Sequence, residues 1–263
     1  MIYRKTFLLS LFLLFPREGN ADQQVEIGPG RSVDVIGVGP LTFDTGPPAL
    51  MLKDQTLNAL DDFVPLRHEA DELWDRFVID VEKGHYEGAV ISSNEAPKGP
   101  VVAPTRGFNF IFVKTNGSWR TKEYPSVEKN GLTDSVVRSL MERIDWLYEN
   151  RHANAILLYL ADDWSLTATS LVPNIPTPKI DRAMLATELR SSNATSTNTH
   201  RRNILKISVS DDRRSAIVES DESETLTLNG QVKMSTSHSV DSLAIEGESV
   251  VLKSSQTELQ SLK

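Results

Sequence analysis

An α+β fold is what this sequence predicts. Helical apolar spacing is confined to the region before residue 190, and two-residue alternation fills residues 203–259. At 263 residues, the chain can bury an ordinary hydrophobic core without metal or disulfide staples. Helices first and strands afterwards imply helices packed on one face of an antiparallel sheet. A small helix-plus-hairpin α+β unit precedes that sheet domain.

Arg4 and Lys5 precede an apolar run from Phe7 to Phe15, and the small residues Gly19 and Ala21 bracket a cleavage point before Asp22. Residues 1–21 therefore read as a signal peptide. Their core is too short to span about 30 Å of hydrocarbon, so no stable membrane span is expected after cleavage. Residues 22–48 carry Gly28, Gly30, Gly37, Gly39 and Gly46 with Pro29, Pro40, Pro47 and Pro48, and read as an extended or mobile lead-in. Gly28-Pro29-Gly30 and Gly37-Val38-Gly39 lack the Lys-Ser/Thr of a phosphate loop and read as turns.

Residues 49–124 form the first unit. Leu66, Ala70, Leu73, Phe77 and Val81 give a helix ended by Gly84, with its charged face expected in solvent. Tyr86 to Ser92 reads as a strand, and Asn94 to Pro104 as turn-rich. Arg106 to Lys114 alternates with Phe108, Phe110 and Phe112 on one side, and Asn116-Gly117 is a two-residue hairpin signal that returns Ser118 to Lys122 with Trp119 inward. A buried row is the expected role of the three phenylalanines.

A boundary falls near Pro125, and the second unit runs over 132–263. Thr133 or Asp134 caps a helix whose buried face is Val137, Leu140, Ile144 and Leu147. Ala153, Ile156, Leu157 and Leu160 give the next helix, and Asn150 to His152 the bend between. Trp164 to Ser170 alternates as a strand, and Asp181 caps a helix through Leu189. Ser191 to Thr199 is a polar, mobile patch. Strands follow at 203–210, 216–228, 232–245 and 249–259, with Leu205, Ile207 and Val209 on the buried side.

Trp146-Leu147-Tyr148-Glu149-Asn150 and Ala155-Ile156-Leu157-Leu158-Tyr159-Leu160-Ala161-Asp162-Asp163-Trp164-Ser165-Leu166, in the order helix, helix, strand, short helix, meander, resemble the nuclear-transport-factor-like superfamily. This cystatin-like cone also houses ketosteroid isomerase and SnoaL-type polyketide cyclases. The resemblance covers about half the chain and implies a curved sheet around the helices with a concave pocket at its wide end. It also implies an Asp base at the position occupied here by Ala168, and a Tyr donor near Asp145 or Trp146; neither residue type is present. Residues 66–122 resemble exported bacterial proteins to which no activity attaches.

A net charge of −8, falling to −10 once Arg4, Lys5, Arg17 and Glu18 leave with residues 1–21, argues against a general nucleic-acid or anionic-membrane binder. Zero Cys excludes thiol catalysis and thiolate zinc sites, and fits an oxidising compartment, periplasmic or extracellular. His68 and Glu72, at helical spacing, are two ligands and not a metal site. Asp162-Asp163 reads as turn chemistry, and Arg201-Arg202 and Arg213-Arg214 as solvated strand ends. No cofactor and no metal are expected.

The leading expectation is an exported, non-catalytic binding protein taking a small apolar molecule or a protein partner. Its site is a hollow near Trp146, Tyr159, Trp164 and Ala168, with no proton-transfer groups in the lining. The alternative is a dehydratase, cyclase or hydrolase using His238 with Asp163 or Asp241. A homodimer through the open sheet is the further expectation.

Overall fold

The computed structural model describes residues 23–28, 30–42, 47–56, 58–96, 106–123, 126–177, 179–191, 196–228 and 231–263. Residues 1–21, read as a signal peptide, lie outside the described residues.

The first half is a six-stranded sheet in chain order: β1 (Gln23–Gly28), β2 (Arg31–Leu41), β3 (Ala49–Thr56), β4 (Gly88–Glu95), β5 (Gly107–Thr115) and β6 (Ser118–Thr121). Every neighbouring pair is antiparallel except β3 and β4, which run parallel because helix α1 (Phe63–Lys83) connects them as a crossover. The Gly/Pro-rich lead-in, read as extended or mobile, is extended over its described residues and paired as β1 and β2. Val25, Ile27, Val33 and Val35 alternate toward the core, and β1 covers β2 only as far as Val35. Pro40, beyond that point, pairs with β3 alone, so its missing N–H falls where β2 has a free edge. Asn116 and Gly117 both take positive φ and close the β5–β6 hairpin as the sequence predicts. Phe110 and Phe112 are fully buried, with Phe112 stacked 4.1 Å from Trp74 of α1.

Helix α1 is buried on two sides. Leu66, Leu73, Trp74, Phe77 and Val81 are in the core, but Arg67, Glu69, Asp71 and Glu72, expected in solvent, are buried as well. A single amphipathic stripe predicts one covered face; here the other is covered from both halves, Arg67 and Asp71 by Tyr159 of the second, and Glu69 and Glu72 by Asn58 and Arg31 of the first.

After the short helix α2 (Val127–Asn130), Gly131 turns at φ +68°, where a Cβ would stand 2.5 Å from that of Arg213. The next residue, Leu132, donates its N–H to the Arg213 carbonyl at 2.8 Å. Helix α3 (Asp134–Glu149) starts at Thr133, one of the two expected caps, whose side chain accepts the Val136 N–H. The predicted next helix is shorter than its apolar spacing suggests: α4 (Ala153–Ile156) passes into a 3-10 turn at Leu157–Tyr159. Its N-terminus is capped from outside, because Asp75 of α1 accepts the N–H groups of Asn154 and Ala155 at 2.6 and 3.1 Å.

The second sheet comprises β7 (Leu160–Ser170), β8 (Lys179–Asp181), β9 (Ser196–Val209), β10 (Ser215–Leu228), β11 (Gln231–Glu246) and β12 (Ser249–Leu262), in the order β8-β7-β12-β11-β10-β9. Helix α5 (Arg182–Ser191) follows β8, with Asp181 accepting the Met184 N–H at 2.8 Å. The sheet is strongly curled, and bulges interrupt the β9–β10 and β11–β12 ladders. One bulge changes a predicted face. Leu205 is the extra residue opposite Glu219 and Ser220, so it is exposed while Ile204 and Ile207 both pack on the core.

The two halves share one core, which runs from Ile27 to Leu252. Polar contacts also cross between them: Arg143 pairs with Glu123 at 3.1 Å, and the Ser249 hydroxyl donates to the Thr121 carbonyl at 2.7 Å. No helix among the described residues is long and apolar enough to cross a membrane.

Candidate ligand-binding cleft

The residues expected around one hollow are placed apart. Trp146 lies against α1, its ring stacked 4.0 Å from His68 and 5.3 Å from His152. Tyr159 is fully buried, and its hydroxyl is held by Asp71 at 3.0 Å and by Arg67. Burial, against the pull of the Arg67 charge, drives that phenol far above its ordinary pKa. Ala168 is half-buried on β7 opposite Thr257. Trp164 alone among the four lines a sizeable cleft.

His238 is likewise separated from its expected partners. Along β11 the side chains of Ser239, Asp241, Leu243 and Ile245 are buried on one face, and His238 belongs to the other. Its Nδ1 lies 3.0 Å from Asp221, which is about half exposed. Asp241 is on the buried face with Arg202, and exposed Asp163 pairs with Lys253 at 3.0 Å. Strand parity separates His238 from Asp241, an odd number of residues away.

The concave face of the second sheet carries an ionic cluster that the sequence reading does not anticipate. Arg202 of β9 donates through Nε and Nη2 to Asp145 of α3 at 2.9 and 3.0 Å, and through Nη1 to Asp241 at 2.7 Å and Ser220 at 3.0 Å. The same Nη1 lies 2.6 Å from Glu222. His200 sits with Nδ1 3.4 Å from Asp145 and Nε2 3.3 Å from Glu222. Burial pulls the His200 imidazole down, but the Glu222 hydrogen bond and the Asp145 and Glu222 charges outweigh it, and its pKa is raised. Burial raises Asp241 even with Arg202 beside it.

An imidazole and carboxylates thus meet inside the cone, which corrects the expectation of a lining without such groups. Arg202 is also no solvated strand end, whereas Arg201 is exposed. Alternation on β10 and β11 carries part of this signal, since Glu222 shares the parity of Val218, and Asp241 that of Leu243. The β9 bulge hides the rest by shifting His200 and Arg202 out of phase with Ile207 and Val209.

The cleft beside Trp164 has a volume of about 810 Å³. Strands β7 and β8 and helix α5 frame it. Leu157, Trp164, Ala183 and Ala186 supply apolar wall, and Lys179, Arg182 and Arg190 supply charge. Trp164 is only 4% exposed, and its indole N–H has no partner; the Nε of Arg182 is also buried without one. The other Arg182 nitrogens donate to the Ser118 hydroxyl and the Leu157 carbonyl, both at 2.8 Å. Such donors cost free energy when they are left unsatisfied, roughly 1–3 kcal/mol each. Burial, with Arg120 nearby, lowers the Arg182 pKa. Sequence reasoning named Trp164 but missed Arg182, which carries no motif and reaches the cleft only because α5 folds back on β7.

His68 and Glu72 do not converge on a metal, since Glu72 binds Arg31 at 2.8 Å and His68 stacks on Trp146. No group of three metal-ligating side chains is found among the described residues.

No protein-family model matches the chain, and no curated protein does. Solved structures resemble it over about half its length. A ketosteroid isomerase-like protein from Erwinia carotovora atroseptica is 18% identical, with a TM-score of 0.39, over 48% of this chain and 94% of its own. A scytalone dehydratase homologue from Novosphingobium aromaticivorans is 11% identical, with a TM-score of 0.40, over 49% of this chain and 85% of its own. An NTF2-like protein from Cytophaga hutchinsonii is 6% identical, with a TM-score of 0.40, over 49% of this chain and 99% of its own. With every score below 0.5, the reading of the second half rests on its own strand order, register and curl. On those grounds, about half of the chain has the expected arrangement of helices against a curled sheet, but the sheet is mixed and not wholly antiparallel, because β7 runs parallel to β12.

Proposed function

We propose that this chain is an exported, non-catalytic binding protein that holds a small molecule in the cleft beside Trp164. The observation that carries the reading is the pair of buried, unpartnered donors, Trp164 Nε1 and Arg182 Nε, on two residues that line one cleft. The interior of the cone offers less to a ligand, because Arg202 engages Asp145, Glu222 and Asp241 at once, although His200 Nδ1 is also buried there without a hydrogen-bond partner. That pattern suits a packing role better than proton transfer. Export rests on Arg4 and Lys5 ahead of the Phe7–Phe15 run; a mature N-terminus at Asp22 supports it, and protein retained in the cytosol with Met1 intact removes it.

The test of the site is a small-molecule screen read on the Trp164 indole N–H resonance, assigned by its loss in Trp164→Phe. Hits should vanish in Ala183→Trp, which fills the cleft from an exposed position on α5. Hits that survive Ala183→Trp unchanged place the ligand elsewhere and overturn the reading. Self-association is supported by exposed Leu205, Ile217, Val232 and Met234 on the second sheet, and light scattering that gives a monomer at micromolar concentration removes it.

A further inference from the structure

On the reading just given, we infer that the cleft takes a small organic anion, a carboxylate on a compact apolar body. The acids around the cleft are already engaged. Asp162 holds Arg120 at 2.7 Å and lies 3.5 Å from Arg182; Asp163 holds Lys253 at 3.0 Å; Asp181 accepts the Met184 N–H at the start of α5. The cations are less fully answered. Lys179 has no ion-pair partner among the described residues, and Arg190 donates to a neutral group, the Asn154 side-chain carbonyl, at 2.5 Å. Arg182 spends two nitrogens on neutral oxygens and leaves Nε without an acceptor.

Two donors with no acceptor, Trp164 Nε1 and Arg182 Nε, and two cations that meet no carboxylate among the described residues, Lys179 and Arg190, belong to residues of this wall, and an anion with two acceptor oxygens is the chemistry complementary to them. The rest of the wall is apolar: Leu157, Ala183, Ala186 and the ring of Trp164. A fully hydrated inorganic anion would leave that surface unused, whereas an aromatic or alicyclic carboxylate covers it.

The probes are benzoate, benzamide, benzylamine and inorganic phosphate, titrated into the intact protein and followed on the Trp164 indole N–H. Benzoate should shift that resonance saturably, and benzamide should bind about tenfold more weakly. Lys179→Gln and Arg190→Gln, both at exposed positions, should each weaken benzoate several-fold without changing benzamide. Benzamide or benzylamine binding as tightly as benzoate, or phosphate displacing it at equal concentration, overturns the anion assignment and leaves the cleft standing. If no probe moves the Trp164 resonance while screen hits bind a protein with Ala183→Trp, the cleft itself is refuted.

Discussion

Arg67 and Arg202 are both guanidinium groups taken out of water, and they are neutralised in opposite ways. Arg67 lies where the two halves meet. It binds one carboxylate, Asp71, through Nε and Nη2 at 3.0 and 2.7 Å, gives Nη1 to Thr121 at 2.9 Å, and contacts the Tyr159 hydroxyl. The rings of Phe110, Phe112 and Tyr159 stand 5.2 to 5.7 Å from its centre. One charge meets one charge within an aromatic cage. Arg202 instead gathers three carboxylates and a histidine under the curled sheet. The first site sets one carboxylate against one guanidinium; the second sets three carboxylates against one guanidinium and a histidine whose pKa is raised.

The largest effect should come from the cage. Asp71→Ala leaves Arg67 buried and unpaired, and should cost about 3–5 kcal/mol by urea denaturation. Because the cage ties α1 to Tyr159, the loss should appear in one transition common to far-ultraviolet dichroism and tryptophan fluorescence. Two separated transitions would show that the halves fold independently.

Arg202→Met should cost somewhat less, about 2–4 kcal/mol at pH 8, since it strands Asp145, Glu222 and Asp241 together. Acid should lessen it: burial raises the Asp241 pKa, and once that carboxyl is protonated one of the stranded charges is gone, so the penalty should shrink as pH falls. A penalty that does not shrink in acid would erase the contrast between the sites.

His200 gives the smaller, signed prediction. Its folded pKa lies above the ordinary 6.5, so its contribution is fully present below that value and is lost as pH rises through the raised folded pKa. His200→Gln should therefore cost about 1 kcal/mol near pH 6 and almost nothing near pH 9. A cost that grows with pH would mean that the imidazole is held neutral.

A related effect is confined to the first half. Burial, with the Glu69 charge beside it, pushes Asp54 from 3.8 up to about 8. Its contribution is present below 3.8 and is lost as pH climbs toward 8, so Asp54→Asn should match the native protein in acid and exceed its stability at pH 9. Thermal melts at the two pH values check this; a variant weaker at pH 9 would show an ionised Asp54 that is well solvated.

Local rules account for much of the fold. Helix α1, the Asn116-Gly117 hairpin, the Thr133 and Asp181 caps and the four long strands follow from spacing and turn chemistry that act within a few residues. Residues 22–48 resisted because glycine and proline disfavour regular structure on average, yet β2 tolerates Pro40 at a position that only its neighbours leave unpaired. The charged face of α1 looked solvated because Arg31 and Tyr159, which help to cover it, lie far from it in the chain. Of the candidate site, Trp164 was legible as an aromatic on an alternating strand. Arg182, Lys179 and Arg190 were not, since their convergence depends on how α5 returns against β7.

What the sequence determined by itself is α1, α3, α5, the β5–β6 hairpin, the long strands of the second sheet and two helix caps, because hydrogen bonding and side-chain period are local. Tertiary structure decided which face of each element is dry: it buried Arg67 and Arg202, turned His238 outward, moved Leu205 by a bulge and left two donors unanswered beside Trp164. Burial and charge pairing depend on distances between residues remote in the chain, and no local pattern encodes those distances.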